Sequence, residues 1–305
     1  MHSARHLELV RALAEHRNFG RAAAALGVSQ PSLTRSLKHL EELLGAALFD
    51  RAGVTPTIFG EIVLKHGRPV LAGFAELKRE IALIKGLDVG ELSVAMAFYP
   101  ADISGQEAAA QLSRRHPNLL LDLRIVDWTR AKDAVLSGKA DLAFADIRAA
   151  ADSADFDTEP VRSGPVTFFC SASHPLAKRP SVELSDLMAY PWAGPSFPAA
   201  LSRAMPKTKL ACGVFDMATE RFRPRILVES FASAKRIVAT GAALSAGFPF
   251  QIAREQAAGE LVVLPMDIPV IDLRYGFVTK RGRVLSPAAK AFIEIVRDIE
   301  AQISG

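Results

Sequence analysis

Apolar and polar positions succeed one another along this chain in three different rhythms. From Leu7 to Leu44 the apolar residues return every three or four positions, the period of helices with one buried face. Leu7 to Leu13 supplies a first helix ending near His16, Phe19 opens a second, and Ala22 to Leu26 is an alanine-rich run that stops at Gly27. The next helix starts at about Gln30, with Leu33, Leu37, Leu40 and Leu44 on its buried side and Pro31, Arg35, Lys38 and His39 opposite. From Gly60 to about Lys85 the repeat lengthens to seven residues. Val63, Val70, Leu77 and Ile84 form one row, and Phe74 and Ile81 an interleaved one. Such a row is a coiled-coil seam that asks for a partner helix. Gly60, Gly67 and Pro69 lie near its start, so the first turns are expected to pack weakly or kink and the firm contact to begin at Val70.

The third rhythm begins at Gly90, where strand patterns alternate with helical ones. Strands are expected from Leu92 to Phe98, Leu119 to Val126 and Asp141 to Ala145, separated by helices from Gln106 to His116 and Trp128 to Ser137. A second series follows, with strands at Val166 to Ala172, Arg225 to Glu229 and within Gly241 to Gly247. Its helices fall after Pro198 and from Phe231 to Thr240. Asp272 to Lys280 returns as a strand, and Pro287 to Gln302 closes the chain as an amphipathic helix. Strand-helix-strand succession predicts a mainly parallel sheet covered on both faces. The late return predicts two subdomains joined by crossovers near Val161 to Gly164 and Pro265 to Pro269.

Local chemistry sharpens the first region into two helices pinned by a turn. Gly27 tolerates the left-handed conformation past a helix end, Val28 plugs the turn, Ser29 caps the next helix and Pro31 occupies its first turn. Gln30, Ser32 and Thr34 beside Arg35 and Lys38 place an amide, hydroxyls and cations at the N-terminal end of that helix. This set suits base edges and phosphates in a major groove. An ordinary amphipathic hairpin in a helical domain is the bland reading of the same pattern.

Composition narrows the rest. A chain of 305 residues, half of them hydrophobic, builds several packed units, and a formal charge of +4 favours a localised basic patch over a broad nucleic-acid coat. No apolar run approaches the roughly 20 residues that span a bilayer, and the start lacks a secretion signal, so a cytoplasmic protein is expected. Cys170 and Cys212 are read as buried thiols, without the spacing of a zinc site. No GxSxG, GxxxxGK[ST] or HExxH motif occurs, so neither an enzyme, a cofactor nor a metal site is expected. His174 is read as structural, and His2, His6, His16, His39 and His66 as solvated or phosphate-facing.

The stretch AAAALGVSQPSLTRSLKHLEEL, followed by LGAALFDR, resembles the LysR-type transcriptional regulators. GELSV, GKADLAF, SASHPLA, SVELSDL and RGRVLSPAAKAF are similar to landmarks of that family's effector domain, so the resemblance covers essentially the whole chain. It implies an α/β protein with a winged helix-turn-helix at 1–59, a dimerising linker helix at 60–88 and a two-lobed, periplasmic-binding-protein-like effector domain at 89–305. Lobe I is 89–162 with 269–305, and lobe II is 163–268. By the same resemblance Gln30, Pro31, Ser32, Thr34 and Arg35 face the bases of double-stranded promoter DNA, with Lys38 and Arg51 on phosphates. Ala52 to Thr57 is about two residues shorter than the usual wing and lacks its extra basic residue, so Arg51 gains weight in affinity.

The resemblance further implies a small-molecule effector in the inter-lobe cleft. It would lie against Phe98, Tyr99 and Pro100, against Asp127, Trp128 and Thr129, and against Ser196, Phe197, Ser230 and Phe248. Where the family often has a small hydroxyl residue, this chain has Ala97-Phe98-Tyr99. That suggests aromatic walls for a planar or apolar effector, or aromatics that fill the cleft so that no ligand enters. The implied assembly is a homodimer through the linker helix, with a tetramer as the family expectation, in which the effector alters the spacing of the DNA modules. The competing class is a soluble small-molecule binding protein or enzyme whose N-terminal hairpin mediates assembly.

Overall fold

Leucines and alanines at helical spacing draw the first helices into one core. The computed structural model describes residues 4–50, 53–85, 90–197, 202–203, 205–266 and 271–303. The chain divides into two compact units between Ile84 and Lys85.

In the first unit, α1 (Ala4–His16), α2 (Phe19–Ala25) and α3 (Gln30–Leu44) bury Leu9, Leu13, Ala22, Leu33, Leu37 and Leu40 together. Leu44 departs from the expected buried stripe and is 38 % exposed. The helix ends there, Gly45 turns the chain with φ 67°, and Leu48 takes the place in the core. A short antiparallel wing follows, β1 (Phe49–Asp50) against β2 (Thr55–Pro56). Helix α4 (Ile58–Lys85) then runs 28 residues, about 42 Å, with Pro69 inside it. The Thr57 hydroxyl accepts the Gly60 N–H at 3.2 Å.

The weak packing expected at the α4 glycines is corrected. A Cβ on Gly60 would stand 2.2 Å from the Leu48 carbonyl oxygen, and one on Gly67 would stand 3.1 Å from Leu7 Cδ2. Both glycines therefore let the helix sit close on the winged core. Val63 packs against that core instead of continuing the seam. Farther along, Val70, Phe74, Leu77 and Ile81 are each roughly half exposed. The Ile84 side chain lies outside the described residues.

The second unit is built on one large sheet. In chain order its strands are β3 (Glu91–Met96), β4 (Leu120–Ile125), β5 (Leu142–Asp146), β6 (Phe156–Ser171), and, after the small strands named below, β11 (Ser245–Gly247), β12 (Leu261–Val263) and β13 (Ile271–Lys280). The order across the sheet is β11-β6-β13-β5-β3-β4, with β12 also on β6. Only β3 with β4 and β3 with β5 run parallel; β13 is antiparallel to both β5 and β6. The sheet is thus mixed, because the returning strand inserts between β5 and β6. Helices Gln106–Arg115 and Pro287–Ile303 cover one face through Leu112, Phe292 and Val296, and Trp128–Leu136 covers the other through Ala131 and Val135.

The crossover expected at Val161 to Gly164 falls inside the 16-residue β6. Pairing with β13 continues to Val166 and pairing with β11 begins at Thr167, so the hand-over lies between those two residues. The other crossover and the helix after Pro198 fall largely outside the described residues. Strand β3 stops at Met96. Phe98–Pro100 is a helical turn that continues through a π-helical turn, Ala101–Gly105, into the next helix. The strand expected at Arg225 to Glu229 shortens to β10 (Ile226–Leu227), which pairs with an unexpected β7 (Ala193–Gly194), and the hairpin of β8 (Gly213–Asp216) with β9 (Arg221–Pro224) was not expected either.

Candidate functional site

The entry to α3 is fixed by three residues. Gly27 adopts φ 64°, the Ser29 hydroxyl accepts the Ser32 N–H at 3.3 Å, and Pro31 occupies the first turn. The helix consequently buries Leu33, Leu37 and Leu40 while Gln30, Pro31, Ser32, Thr34, Arg35 and Lys38 are all exposed. Thr34 returns its hydroxyl proton to the Gln30 carbonyl at 3.0 Å. Lys38 lies 3.6 Å from Glu42, a surface pair too exposed to hold the cation firmly. Arg51 lies outside the described residues.

The second unit contains a cavity of about 230 Å³, and its walls include Phe98, Tyr99, Pro100, Asp127, Trp128, Ser196 and Phe197 from the expected set. Ser230 is elsewhere: its hydroxyl accepts the Ser233 N–H at 3.1 Å and caps helix Phe231–Ala239. Phe248 does not line the cavity but is buried behind its wall, against Tyr99 and Tyr275 and stacked on Phe250. The Thr129 side chain lies outside the described residues. Strand and loop residues missed by sequence reasoning complete the wall, notably Ile125, Val166, Leu227, Leu273 and Tyr275. An apolar residue near a strand end reads as core in sequence, and no signal there separates the two roles.

Glu229 and Arg274 also line this wall and are exposed, while its other main polar groups are engaged with the protein itself. Tyr99 Oη donates to the Ala246 carbonyl at 3.0 Å, and burial drives its pKa up, so the phenol stays neutral. Trp128 Nε1 donates to the Ser196 carbonyl at 3.3 Å. Asp127 pairs with Arg221 at 3.3 Å, and the Arg221 guanidinium lies 5.4 Å from the Trp128 ring centroid. Asp146 is paired with Arg148, and Tyr275 donates to the buried Glu300 at 3.1 Å. Outside the wall, Gln251 Nε2 donates to Asp102 at 3.0 Å, and burial raises the pKa of that carboxyl. What faces the space is therefore mainly aromatic and aliphatic, suited to a body that asks for few hydrogen bonds.

Other candidate chemistry resolves into packing. Cys170 and Cys212 are buried, and burial pushes each thiol up to about 11. His174 Nδ1 accepts the Leu176 N–H at 3.2 Å, its ring meets Tyr190 edge-on at 4.5 Å, and burial lowers its pKa. Among the described residues no group of three His, Cys, Asp or Glu side chains could hold a metal, and no helix is long and apolar enough to cross a membrane.

Comparison with known proteins joins these two units. The family model described as bacterial regulatory helix-turn-helix protein, lysR family, matches residues 4–61, and the LysR substrate binding domain matches residues 85–300. The SDS degradation transcriptional activation protein of Pseudomonas sp. (strain ATCC 19151) is 33 % identical over 309 residues, covering 99 % of this chain and 98 % of its own. The HTH-type transcriptional regulator GbpR of Azospirillum brasilense is 28 % identical over 299 residues, with 96 % and 85 % covered. Among solved structures, CbnR, a LysR family transcriptional regulator, superposes with a TM-score of 0.58 at 22 % identity over 98 % of this chain and 99 % of its own. Full-length CbnR complexed with target DNA gives 0.56 at 23 % identity, covering 98 % and 100 %. The capped, polar-faced α3 and the residues around the cavity thus lie within the two matched segments, and the chain belongs to the LysR-type transcriptional regulators.

Proposed function

We propose that this regulator reads promoter DNA with Gln30, Pro31, Ser32, Thr34 and Arg35 against the bases and Lys38 and Arg51 on phosphates. The observation that carries the reading is the division of α3, whose leucines are buried while its N-terminal polar side chains are all exposed. Two copies pair through the exposed row Val70, Phe74, Leu77 and Ile81, placing two recognition helices on successive half-sites, and pairs associate into a tetramer. The protein works in the cytoplasm, where its promoter lies.

The cleft takes a small apolar or planar effector. Its volume, about 230 Å³, is below the roughly 300–1,000 Å³ of drug-sized sites, so the occupant is compact. The relative named for SDS degradation makes a short alkyl amphiphile the first ligand to try. Space remains after Phe98, Tyr99, Trp128 and Phe197 are seated, which favours an effector over a cleft filled by its own aromatics. A ligand that prefers one arrangement of the two lobes shifts their population and, with it, the spacing of the DNA modules.

The test is binding to the DNA upstream of the regulator's own gene against random duplex, by fluorescence anisotropy. Gln30→Ala with Arg35→Ala should cut the preference by about tenfold or more, each base contact contributing roughly 1–3 kcal/mol. Undiminished preference would remove α3 from sequence reading. For the cleft, thermal stabilisation by octanol and octyl sulfate should disappear in Trp128→Ala; a shift that survives places the ligand elsewhere.

A further inference from the structure

The excess positive charge of this chain is not where its DNA-reading helix is. Residues 203–225 carry six cations, Arg203, Lys207, Lys209, Arg221, Arg223 and Arg225, against Asp216 and Glu220, a net +4 that equals the formal charge of the whole chain. Residues 1–59 hold seven Lys or Arg against five Asp or Glu. The basic segment folds as the β8–β9 hairpin and the loop leading into it. Phe222 is buried against Trp192 and Phe197, which anchors the ribbon, and strand alternation turns Arg221 and Arg223 to its other face. Arg221 is engaged with Asp127. The side chains of Lys207, Lys209, Arg223 and Arg225 are exposed and make no hydrogen bond or ion pair among the described residues, with Arg223 near enough to Asp216 to help the Ala218 N–H lower that carboxyl's pKa. Lys207 lies 5.7 Å from the Phe215 ring centroid, and Arg225 N–H donates to the Cys212 carbonyl at 2.7 Å, which ties the loop to the hairpin as one surface. The carboxylate of Asp216 is turned onto the N–H groups of Ala218 and Thr219 at 2.9 and 3.4 Å.

We infer that the β8–β9 hairpin is a second DNA-contacting surface, gripping the phosphate backbone of the promoter outside the segment read by α3. Unpaired Lys and Arg side chains on an exposed ribbon offer the donors that phosphates accept, and contribute affinity through counterion release without sequence preference. A two-stranded ribbon also has the width of a major groove. The inference rests on the proposed DNA reading, because the polyanion it invokes is the one already bound.

The test uses the full chain with Lys207→Gln, Lys209→Gln, Arg223→Gln and Arg225→Gln combined, its fold checked by circular dichroism and an unchanged melting temperature. Affinity for a long duplex upstream of the gene is followed from about 50 to 200 mM salt, with the slope of log K against log salt falling by about 0.9 for each contact removed. The preference over random duplex should stay, whereas Arg35→Ala should lower it, so loss of phosphate grip and loss of reading separate. A second variant with the four positions as Lys or Arg in exchanged order should restore the slope. An unchanged slope in the Gln variant overturns the inference and assigns the patch, with exposed Val214 and Met217 beside it, to an acidic protein surface. A wild-type chain that retains no duplex at any salt would overturn the DNA reading itself.

Discussion

Glu300 offers the sharpest test of how the second unit is held around its cleft. It lies in the last turns of helix Pro287–Ile303, is 5 % exposed, and gathers donors from three separate elements. Ser104 Oγ donates to Oε1 at 2.5 Å, Tyr275 Oη to the same oxygen at 3.1 Å, and Arg162 Nε to Oε2 at 2.7 Å. Arg162 also reaches the Glu300 carbonyl at 2.9 Å and covers the Phe250 ring at 5.2 Å. Arg162 stands on β6 shortly before the hand-over, and Tyr275 is part of the cavity wall, so the network ties the closing helix to both.

Glu300→Gln keeps the shape and removes the charge, leaving the Arg162 guanidinium half-buried without its counter-ion. Breaking a buried pair from one side costs about 3–5 kcal/mol, whereas replacing both members by apolar residues is close to neutral. The expected loss in urea unfolding is therefore about 3 kcal/mol or more for Glu300→Gln. That corresponds to a melting temperature lower by roughly 6–20 °C for a unit of this size. Glu300→Leu combined with Arg162→Met should recover part of it, the Ser104 and Tyr275 hydroxyls still losing their acceptor, and should show a coupling of about 2 kcal/mol or more against Glu300→Leu and Arg162→Met singly. A single-variant loss under about 1 kcal/mol, or a double variant as unstable as the two losses added, would refute the claim that an uncompensated buried charge sets the cost.

Three further outcomes are expected. Leu77→Asp places a carboxylate in the half-exposed row of α4 and should yield monomers in sedimentation velocity; an unchanged sedimentation coefficient counts against pairing through that row. Tyr99→Phe deletes the bond to the Ala246 carbonyl and should lower stability by about 1–3 kcal/mol by leaving a sheltered acceptor unmet; an unaltered melting temperature would show water reaching it. The His174 imidazole is held below its ordinary value of about 6.5 by burial, so its stabilisation is complete above that pH and is lost as pH falls through it toward the folded value. Calorimetry should accordingly find a steeper fall in melting temperature from pH 7 to pH 5 for the wild type than for His174→Asn, and parallel curves would reject the assignment.

What the sequence made legible was whatever depends on near neighbours. Gly27, Ser29 and Pro31 act within a turn of one another, so the start of α3 could be read to the residue. The seven-residue row of α4 was equally local, but its glycines were not. Gly60 and Gly67 read as weak points because the Leu48 carbonyl and Leu7 that press on them come from other parts of the unit. The continuity of β6 was hidden by Pro160 and Pro165, which punctuate its sequence. Pro160 faces Gly276 at the bulge between Tyr275 and Gly276, where the regular ladder is already interrupted and a missing N–H is tolerated. For Phe98 the apolar run suggested strand, although Pro100 was a sign of a first helical turn. In the cleft, three wall segments came from the family resemblance, while Arg221 could not be found, since it meets Asp127 across 94 residues of chain.

The state of the wall's polar groups constrains how any effector acts. Tyr99, Trp128, Asp127, Asp146 and Tyr275 already have partners within the protein, and a ligand that competes for one of them must leave the old partner satisfied or bear the cost of stranding it. Apolar contact escapes that exchange, one methylene contributing about 1–3 kcal/mol, and the charges left to discriminate among ligands are those of Glu229 and Arg274. The regulator's response must come from the bonds the ligand crowds, and the one with the widest reach is the Arg221 pair. Arg221 shares β9 with Arg223, so displacing it from Asp127 and Trp128 frees a further cation on the strand that carries the basic ribbon. An occupant that favours the displaced position over the seated one is then sufficient to couple cleft and ribbon, and one that fits both equally is inert however tightly it binds.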